Sequence, residues 1–160
     1  MKILITGALG HIGSGLIHSI KPNEFEKVYL IDNMSTQRYA SLFNLSKEIN
    51  FKFYEKDILK VDLESLIGKI DCIIHLAAIT DAAGSFKRKD EIEEVNYIGT
   101  ERVAEYCIRT NTKLLFPSTT SVYGSQSEVV DELCDSSELK PQSPYAEYKL
   151  KSEQMLKKMG

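Results

Sequence analysis

No stretch of the chain approaches the ~18 consecutive apolar residues that a membrane-spanning helix needs, so no membrane span is expected. Cysteine is scarce: Cys72, Cys107 and Cys134 lie far apart with no C-x-x-C spacing, which leaves a disulfide framework or a zinc site without support and fits a reducing compartment. The three histidines, His11, His18 and His75, never fall at i, i+4; each reads as a packing or surface residue, and no metal is assigned. Charge of one sign is also lacking. With 20 basic and 23 acidic residues the formal net charge is -3, too weak a field to gather nucleic acid or an anionic membrane. Met1-Lys2 runs straight into Ile3-Leu4-Ile5-Thr6 with no long apolar stretch and no small-residue cleavage site behind it. Nothing there marks the chain for export, and a soluble cytoplasmic protein is the expectation.

What is present is 160 residues, 42% hydrophobic and 27% charged, enough apolar material for one globular domain with a core of its own. Short apolar runs alternate with amphipathic segments, the pattern of β-α-β units around a parallel sheet. The runs are Ile3 to Thr6, Val28 to Asp32, Phe51 to Tyr54, Cys72 to Ala77 and Leu114 to Pro117. Being apolar on both sides, they read as strands buried between helix layers. Ile92, Val95, Ile98, Val103 and Tyr106 recur at roughly helical spacing, which predicts the longest helix, with one face on the sheet. The charged stretch 85–90 reads as a solvated loop. From Gly124 to Pro144 no period survives, and a loop of about 20 residues is expected beside a substrate pocket. A last helix, Tyr145 to Lys158, follows. No sixth strand comes after it, so the expected fold is a Rossmann-like, doubly wound α/β sheet in three layers, with 1–160 as the cofactor-binding domain, truncated before the last strands and a substrate-binding C-terminal region.

Directly after the first predicted strand comes Gly7-Ala8-Leu9-Gly10-His11-Ile12-Gly13, and then the apolar helix pattern Ile12, Leu16, Ile20. Glycines here let the backbone turn tightly and approach a pyrophosphate, whose charge meets the exposed N-H groups and positive end of the helix. Glycines also simply make turns, and strand-turn-helix context is what favours the phosphate reading. Asp32 ends the next strand, roughly 20 residues on, where a carboxylate can accept from both adenosine ribose hydroxyls. That carboxylate would repel a 2′-phosphate, and the adjacent Asn33 supplies no positive charge, so NAD is favoured over NADP. Asp57, shortly after the third strand, is placed either to cap the following turn or to bind the adenine amino group.

Tyr145 and Lys149 stand four apart on the last predicted helix, just after Pro144, so their side chains share a face. Bringing a tyrosine from ~10 to ~7 takes about 4 kcal/mol of phenolate stabilisation, which a lysine ammonium and a nicotinium ring can supply. On spacing alone the two form only a surface pair; partners are needed. Ser118-Thr119-Thr120-Ser121, at the carboxyl end of the fifth strand, puts four hydroxyls where open α/β sheets place ligand-contacting groups.

With these residues in place the chain resembles the extended short-chain dehydrogenase/reductases, in particular the NAD-dependent sugar-nucleotide epimerase/dehydratase group. The resemblance is carried by Thr6-Gly7-x-x-Gly10-x-Ile12-Gly13, Asp32-Asn33, Asp57-Ile58, His75-Leu76-Ala77-Ala78, Asn96-x-x-Gly99-Thr100, Ser118-Thr119-x-x-Val122-Tyr123-Gly124 and Ser143-Pro144-Tyr145-Ala146-x-x-Lys149. It implies that Tyr145 is the acid/base, that Lys149 binds the nicotinamide ribose and lowers the tyrosine pKa, and that Thr119 hydrogen-bonds the reacting oxygen. It further implies that Asp57-Ile58 hold the adenine, that Leu76, Ala77, Ala78 and Thr80 line the cofactor, that Asn96 supports the site, and that Tyr123 is structural.

The chain departs from the group in particular places. Its dehydratases follow the threonine with an Asp-Glu pair that performs the elimination, whereas Thr120-Ser121 stand here, which disfavours dehydration. Tyr148 occupies a position where family members often carry serine, and Thr80 one where the 4-epimerase has lysine. The expected function is an NAD-dependent sugar-nucleotide epimerase or related oxidoreductase, with a nucleotide-sugar substrate for the full-length parent, no turnover from this length alone, and a homodimer compatible with the family. The alternative is a sensor or scaffold that binds NAD without turnover, since a Rossmann fold alone does not imply catalysis.

Overall fold

A computed structural model describes residues 1–125 and 130–160. The chain divides into two compact units, one of Met1–Ala78 with Arg102–Pro117, the other of Ile79–Glu101 with Ser118–Gly160.

The first unit holds the sheet. Its strands are β1 (Lys2–Thr6), β2 (Lys27–Asp32), β3 (Phe51–Glu55), β4 (Cys72–His75) and β5 (Lys113–Leu115). They lie in the order β3-β2-β1-β4-β5, and every neighbouring pair is parallel. Successive side chains of a strand point to opposite faces, so the apolar runs supply two cores. Ile3, Ile5, Val28, Leu30 and Cys72 face one way and pack with Ile17 and Ile20, from and just after helix α1 (His11–Ser19). Leu4, Tyr29, Ile31 and Ile73 face the other way and pack with Leu63 of α2 (Leu63–Ile67) and with Val103, Tyr106 and Cys107 of α4 (Gly99–Thr110). A helix layer on each face gives the three-layer doubly wound architecture expected. At ~1.5–3 kcal/mol for each large aliphatic side chain buried, these two clusters are the main stabilising term of the unit.

The central strands are buried on both faces, but β3 and β5 are edge strands and only partly covered; Leu115 is 57% exposed. Two predicted boundaries move. Strand β4 stops at His75 rather than Ala77, and β5 covers Lys113–Leu115 rather than Leu114 to Pro117, since Pro117 has no N-H to give a ladder. The register pairs Thr6 with both Ile31 and His75, and Asp32 with Glu55. The carboxyl ends of β1 to β4 are therefore level, and the chain leaves that edge at Gly7, Asn33, Lys56 and Leu76.

The second unit contains α3 (Lys89–Ile92), a π-helical stretch (Glu93–Ile98), the start of α4, and α5 (Pro144–Met159). The π stretch corrects the expected regular helix. A π turn takes one more residue than an α turn, so the apolar stripe loses phase: Ile92 is buried, Ile98 is exposed, and polar Asn96 is buried in its place. Together α3, the π stretch and α4 run without a break from Lys89 to Thr110, so the longest helical run falls where it is expected, interrupted by π turns; the longest regular α-helix is α5, at 16 residues. Its start is written locally, with Pro144 at the first helical position and the Ser143 hydroxyl accepting from Ala146 N at 3.2 Å. The 85–90 stretch is not a plain solvated loop. It holds a 3-10 turn over Gly84–Lys87 with Ser85 buried, and the start of α3, where Arg88 pairs with Glu91 at 2.6 Å. The predicted loop from Gly124 to Pro144 includes a 3-10 turn at Ser136–Glu138; its residues 126–129 lie outside the described residues.

Candidate functional site

In the first unit the glycine turn is shaped by contacts that no side chain could share. Gly7 has φ +62°, and a Cβ there would lie 2.6 Å from Ala77 N; at Gly13 a Cβ would lie 2.5 Å from Gly7 O. Both positions therefore require glycine, one for its dihedral and one for the close approach of α1 to the turn. Gly10 N donates to Gly7 O at 3.1 Å, and Gly10, the N-cap of α1, has no side chain to close the helix end. First-turn N-H groups and the positive end of the dipole are thus available to an anion. His11 is exposed and Ile12 is 66% exposed. Of the expected apolar face, Leu16 and Ile20 do pack against the first core, whereas Ile12 lies on the outer side and Gly13 and Ile17 take the buried positions of α1. Glycine carries no hydrophobic signal, so the spacing hid the contact at Gly13.

Asp32 sits at the end of β2 and already holds two backbone groups. Its Oδ2 accepts from Leu9 N at 3.0 Å and its Oδ1 from Met34 N at 2.9 Å. It ties the glycine turn to the strand end while keeping lone pairs for further donors. Asn33 is exposed and accepts from Ser35 N at 3.0 Å. Asp57 caps the following turn, accepting from Leu59 N at 3.0 Å, and lines an open hollow of about 540 Å³ with Lys56 and Lys60. Ile58 is buried in the second core. Beyond β4, Leu76 N donates to Thr6 O at 3.0 Å and Ala77 N to Thr6 Oγ1 at 3.2 Å. The same hydroxyl meets buried His75 Nδ1 at 2.7 Å. These bonds fix Leu76 and Ala77 against the glycine turn; Ala78, also half-buried, ends this part of the unit.

In the second unit Tyr145 and Lys149 lie on α5. Tyr145 is half-buried and Lys149 is 5% exposed. Burial lifts the Tyr145 phenol above its ordinary value, and a hydrogen bond with Thr119 pulls the other way. Burial also brings Lys149 down to about 8, opposed by the carboxylate of Glu153, so at neutral pH it is still mostly an ammonium. Thr119 caps the 3-10 turn Thr120–Tyr123, accepting from Ser121 N at 3.2 Å. Ser118 is hydrogen-bonded to Glu153, which narrows the four expected hydroxyls: Ser118 is engaged by helix α5, and Thr119 is the one that meets Tyr145. Ser118, Thr119, Tyr123 and Glu153 line a cavity of about 360 Å³. Asn96 grips one residue of backbone from both sides, accepting from Ile79 N at 2.8 Å and donating to Ile79 O at 2.9 Å. Thr80 follows, exposed.

The expected residues thus fall into two groups, glycine turn with Asp32 and Leu76 to Ala78 in one unit, and Thr119, Tyr145, Lys149 and Asn96 in the other. Sequence reasoning missed Glu153, Glu93 and Ser152. Glu153 could have been found from its place four residues after Lys149; nothing in the sequence points to Glu93. Among the described residues no helix is long and apolar enough to cross a membrane, and no three His, Cys, Asp or Glu side chains converge as a metal site.

The model of the NAD dependent epimerase/dehydratase family matches residues 3–160. This chain belongs to that family. It is 35% identical to the dTDP-D-glucose 4,6-dehydratase of Dictyostelium discoideum, over 97% of this chain and 39% of that protein. It is 32% identical to the UDP-glucose 4-epimerase of Yersinia enterocolitica, over 98% and 48%. Among solved structures, the UDP-glucuronic acid 4-epimerase of Bacillus cereus in complex with NAD superposes with a TM-score of 0.84 at 33% identity, over 99% of this chain and 52% of that one. The chain spans about half the length, or less, of these relatives.

Proposed function

We propose that this chain is the cofactor-binding and catalytic part of an NAD-dependent sugar-nucleotide epimerase or a closely related oxidoreductase. The observation that carries the reading is the hydrogen bond that brings Thr119 to Tyr145 one helical turn from a buried lysine. The donor set also fits the cofactor. Gly7 and Gly13 make a cradle that a Cβ would fill, the α1 end has no side-chain cap, and Asp32 offers a carboxylate to ribose hydroxyls but only repulsion to a 2′-phosphate. Gly10, His11 and Ile12 would present the helix end to the pyrophosphate, Asp57 and Ile58 would hold the adenine, and Asn33 with Leu76 to Thr80 would line the dinucleotide.

NAD, when bound, accepts hydride from the substrate carbon and can return it. Tyr145 as phenolate takes the proton of a substrate hydroxyl and later gives it back, acting as base and then acid. Lys149 holds the nicotinamide ribose and, as an ammonium, stabilises the phenolate that burial alone disfavours. Thr119 donates to the reacting oxygen, and Asn96 keeps the Ile79 backbone in place. Neither Thr120 nor Ser121 carries a carboxyl group, so this segment lacks an acid/base pair for water elimination, which favours epimerisation although both epimerases and dehydratases are similar to the chain. The proposed partner is a nucleotide-sugar and the proposed location cytoplasmic.

The test is product analysis. The full-length protein, incubated with NAD and UDP-glucose, should yield the C4-inverted sugar and no 4-keto-6-deoxy product; the 4-keto-6-deoxy sugar as sole product would overturn the epimerase reading. The 160-residue chain alone should bind NAD and leave UDP-glucose unconverted.

A further inference from the structure

Within the second unit, α5 is held to the π-helical stretch by two contacts that bracket Lys149. Tyr148, 2% exposed, donates its phenol hydroxyl to Glu93 Oε2 at 2.7 Å. Its ring is tilted against Tyr97 at 6.5 Å between centroids and carries the Lys151 ammonium at 4.6 Å. One turn on, Ser152 shares its hydroxyl proton between the carbonyls of Asn96 at 3.2 Å and Tyr148 at 2.8 Å. Residues four apart lie on one face of a helix, so these two contacts form a line along α5 that sets its roll. Tyr145, three residues before Tyr148, and Lys149, one after it, are aimed by that roll. The π stretch contributes both acceptors, the Glu93 carboxylate and the Asn96 carbonyl, while the Asn96 side chain fixes Ile79. A serine at position 148 would have its hydroxyl one bond from Cβ and could not span to Glu93.

We propose that Tyr148 is a positioning residue: through its hydrogen bond to Glu93 it fixes the roll of α5 and so the place of Lys149 in the cofactor site. This rests on the reading of Lys149 as an NAD ligand. Burial and the neighbouring Glu93 carboxylate push the Tyr148 phenol up to about 12. It therefore stays a neutral donor throughout the working range and does not compete with Tyr145 as an acid/base. The exposed Glu93 is the more tolerant partner to alter, whereas Tyr148→Phe removes one oxygen and keeps the packing volume.

The experiment is calorimetric titration of the 160-residue chain with NAD, alongside its thermal midpoint, for Tyr148→Phe, Glu93→Ala, Glu93→Gln and the double variant Tyr148→Phe/Glu93→Ala. Tyr148→Phe and Glu93→Ala should each weaken NAD roughly three- to tenfold, the scale of one hydrogen bond, and the double variant should be no worse than either single one. Glu93→Gln, which keeps an acceptor oxygen, should restore affinity to within about twofold of the parent, a rescue at the scale of one retained hydrogen bond. A lowered thermal midpoint with unchanged NAD affinity in Tyr148→Phe, or a Glu93→Gln as damaging as Glu93→Ala, overturns the positioning role. Lys149→Ala separates the two levels. If it weakens NAD while Tyr148→Phe does not, only the positioning role falls; if it leaves NAD binding intact, the reading of Lys149 falls and the proposal with it.

Discussion

Alanine at Gly13 and alanine at Gly15 should have opposite effects, although the two glycines are two residues apart on the same helix. At Gly15 the new methyl group meets nothing within 4 Å, so the substitution brings only its helix-propensity and unfolded-state advantage, about 0.5–1 kcal/mol. At Gly13 the methyl lies 2.5 Å from Gly7 O and 2.6 Å from Ala8 O. Both neighbours are backbone, so α1 must retreat by about 0.9 Å to reach an ordinary contact of about 3.4 Å. Overpacking of this kind costs about 1–3 kcal/mol, and the propensity gain offsets part of it. The net is about 1–2 kcal/mol of destabilisation for Gly13→Ala. At about 2–4 °C per kcal/mol for a chain of this size, thermal unfolding followed by circular dichroism should fall by about 2–8 °C for Gly13→Ala and rise by about 1–4 °C for Gly15→Ala. NAD affinity should drop only for Gly13→Ala, because the helix end moves away from the turn. A Gly13→Ala protein that is as stable as its parent and binds NAD equally well would refute the close-packing argument.

Asp32→Ala should weaken NAD and narrow the preference over NADP. Because Asp32 also holds Leu9 N and Met34 N, a stability loss of about 1–3 kcal/mol should accompany it. The ratio of the two cofactor affinities is the informative quantity, and an unchanged ratio would reduce Asp32 to a turn residue. Lys149 gives a pH signature. Its folded value is lowered from 10.5 to about 8, so between those values the unfolded chain holds a proton that the folded chain has released, and stability rises with pH across that window. Denaturant titrations at pH 7.5 and pH 10 should show this rise in the parent relative to Lys149→Met; equal pH slopes in both proteins would contradict the buried-ammonium assignment.

Much of the first unit was legible because strands covered on both faces must be apolar throughout, as Ile3 to Ile5 and Val28 to Ile31 are. The boundaries of β5 were not, since Phe116 is as apolar as Leu115 and only the missing donor of Pro117 separates the ladder from the loop. The contact face of α1 was read correctly at Leu16 and Ile20 but not at Ile12, because the close contact at the start of the helix is made by the absence of a side chain at Gly13. The π stretch left no mark beyond the irregular step from Ile98 to Val103 in a stripe that otherwise advances by three. Asp32, Tyr145 and Lys149 stood out through their spacing from a strand end or a helix start. Glu93 did not, because its bond to Tyr148 joins residues 55 apart and no local pattern encodes a contact of that kind.

The central claim is that Tyr145 moves the proton while Lys149 holds the cofactor, and it predicts a split that no purely structural role would produce. In the full-length protein, Tyr145→Phe should abolish conversion of UDP-glucose and leave the Kd for NAD within about twofold, since the lost oxygen acts on substrate. Lys149→Ala should damage both. Measuring NAD affinity and turnover on the same Tyr145→Phe preparation decides the matter: bound NAD with no turnover is the predicted result, and substantial residual turnover would contradict the acid/base assignment.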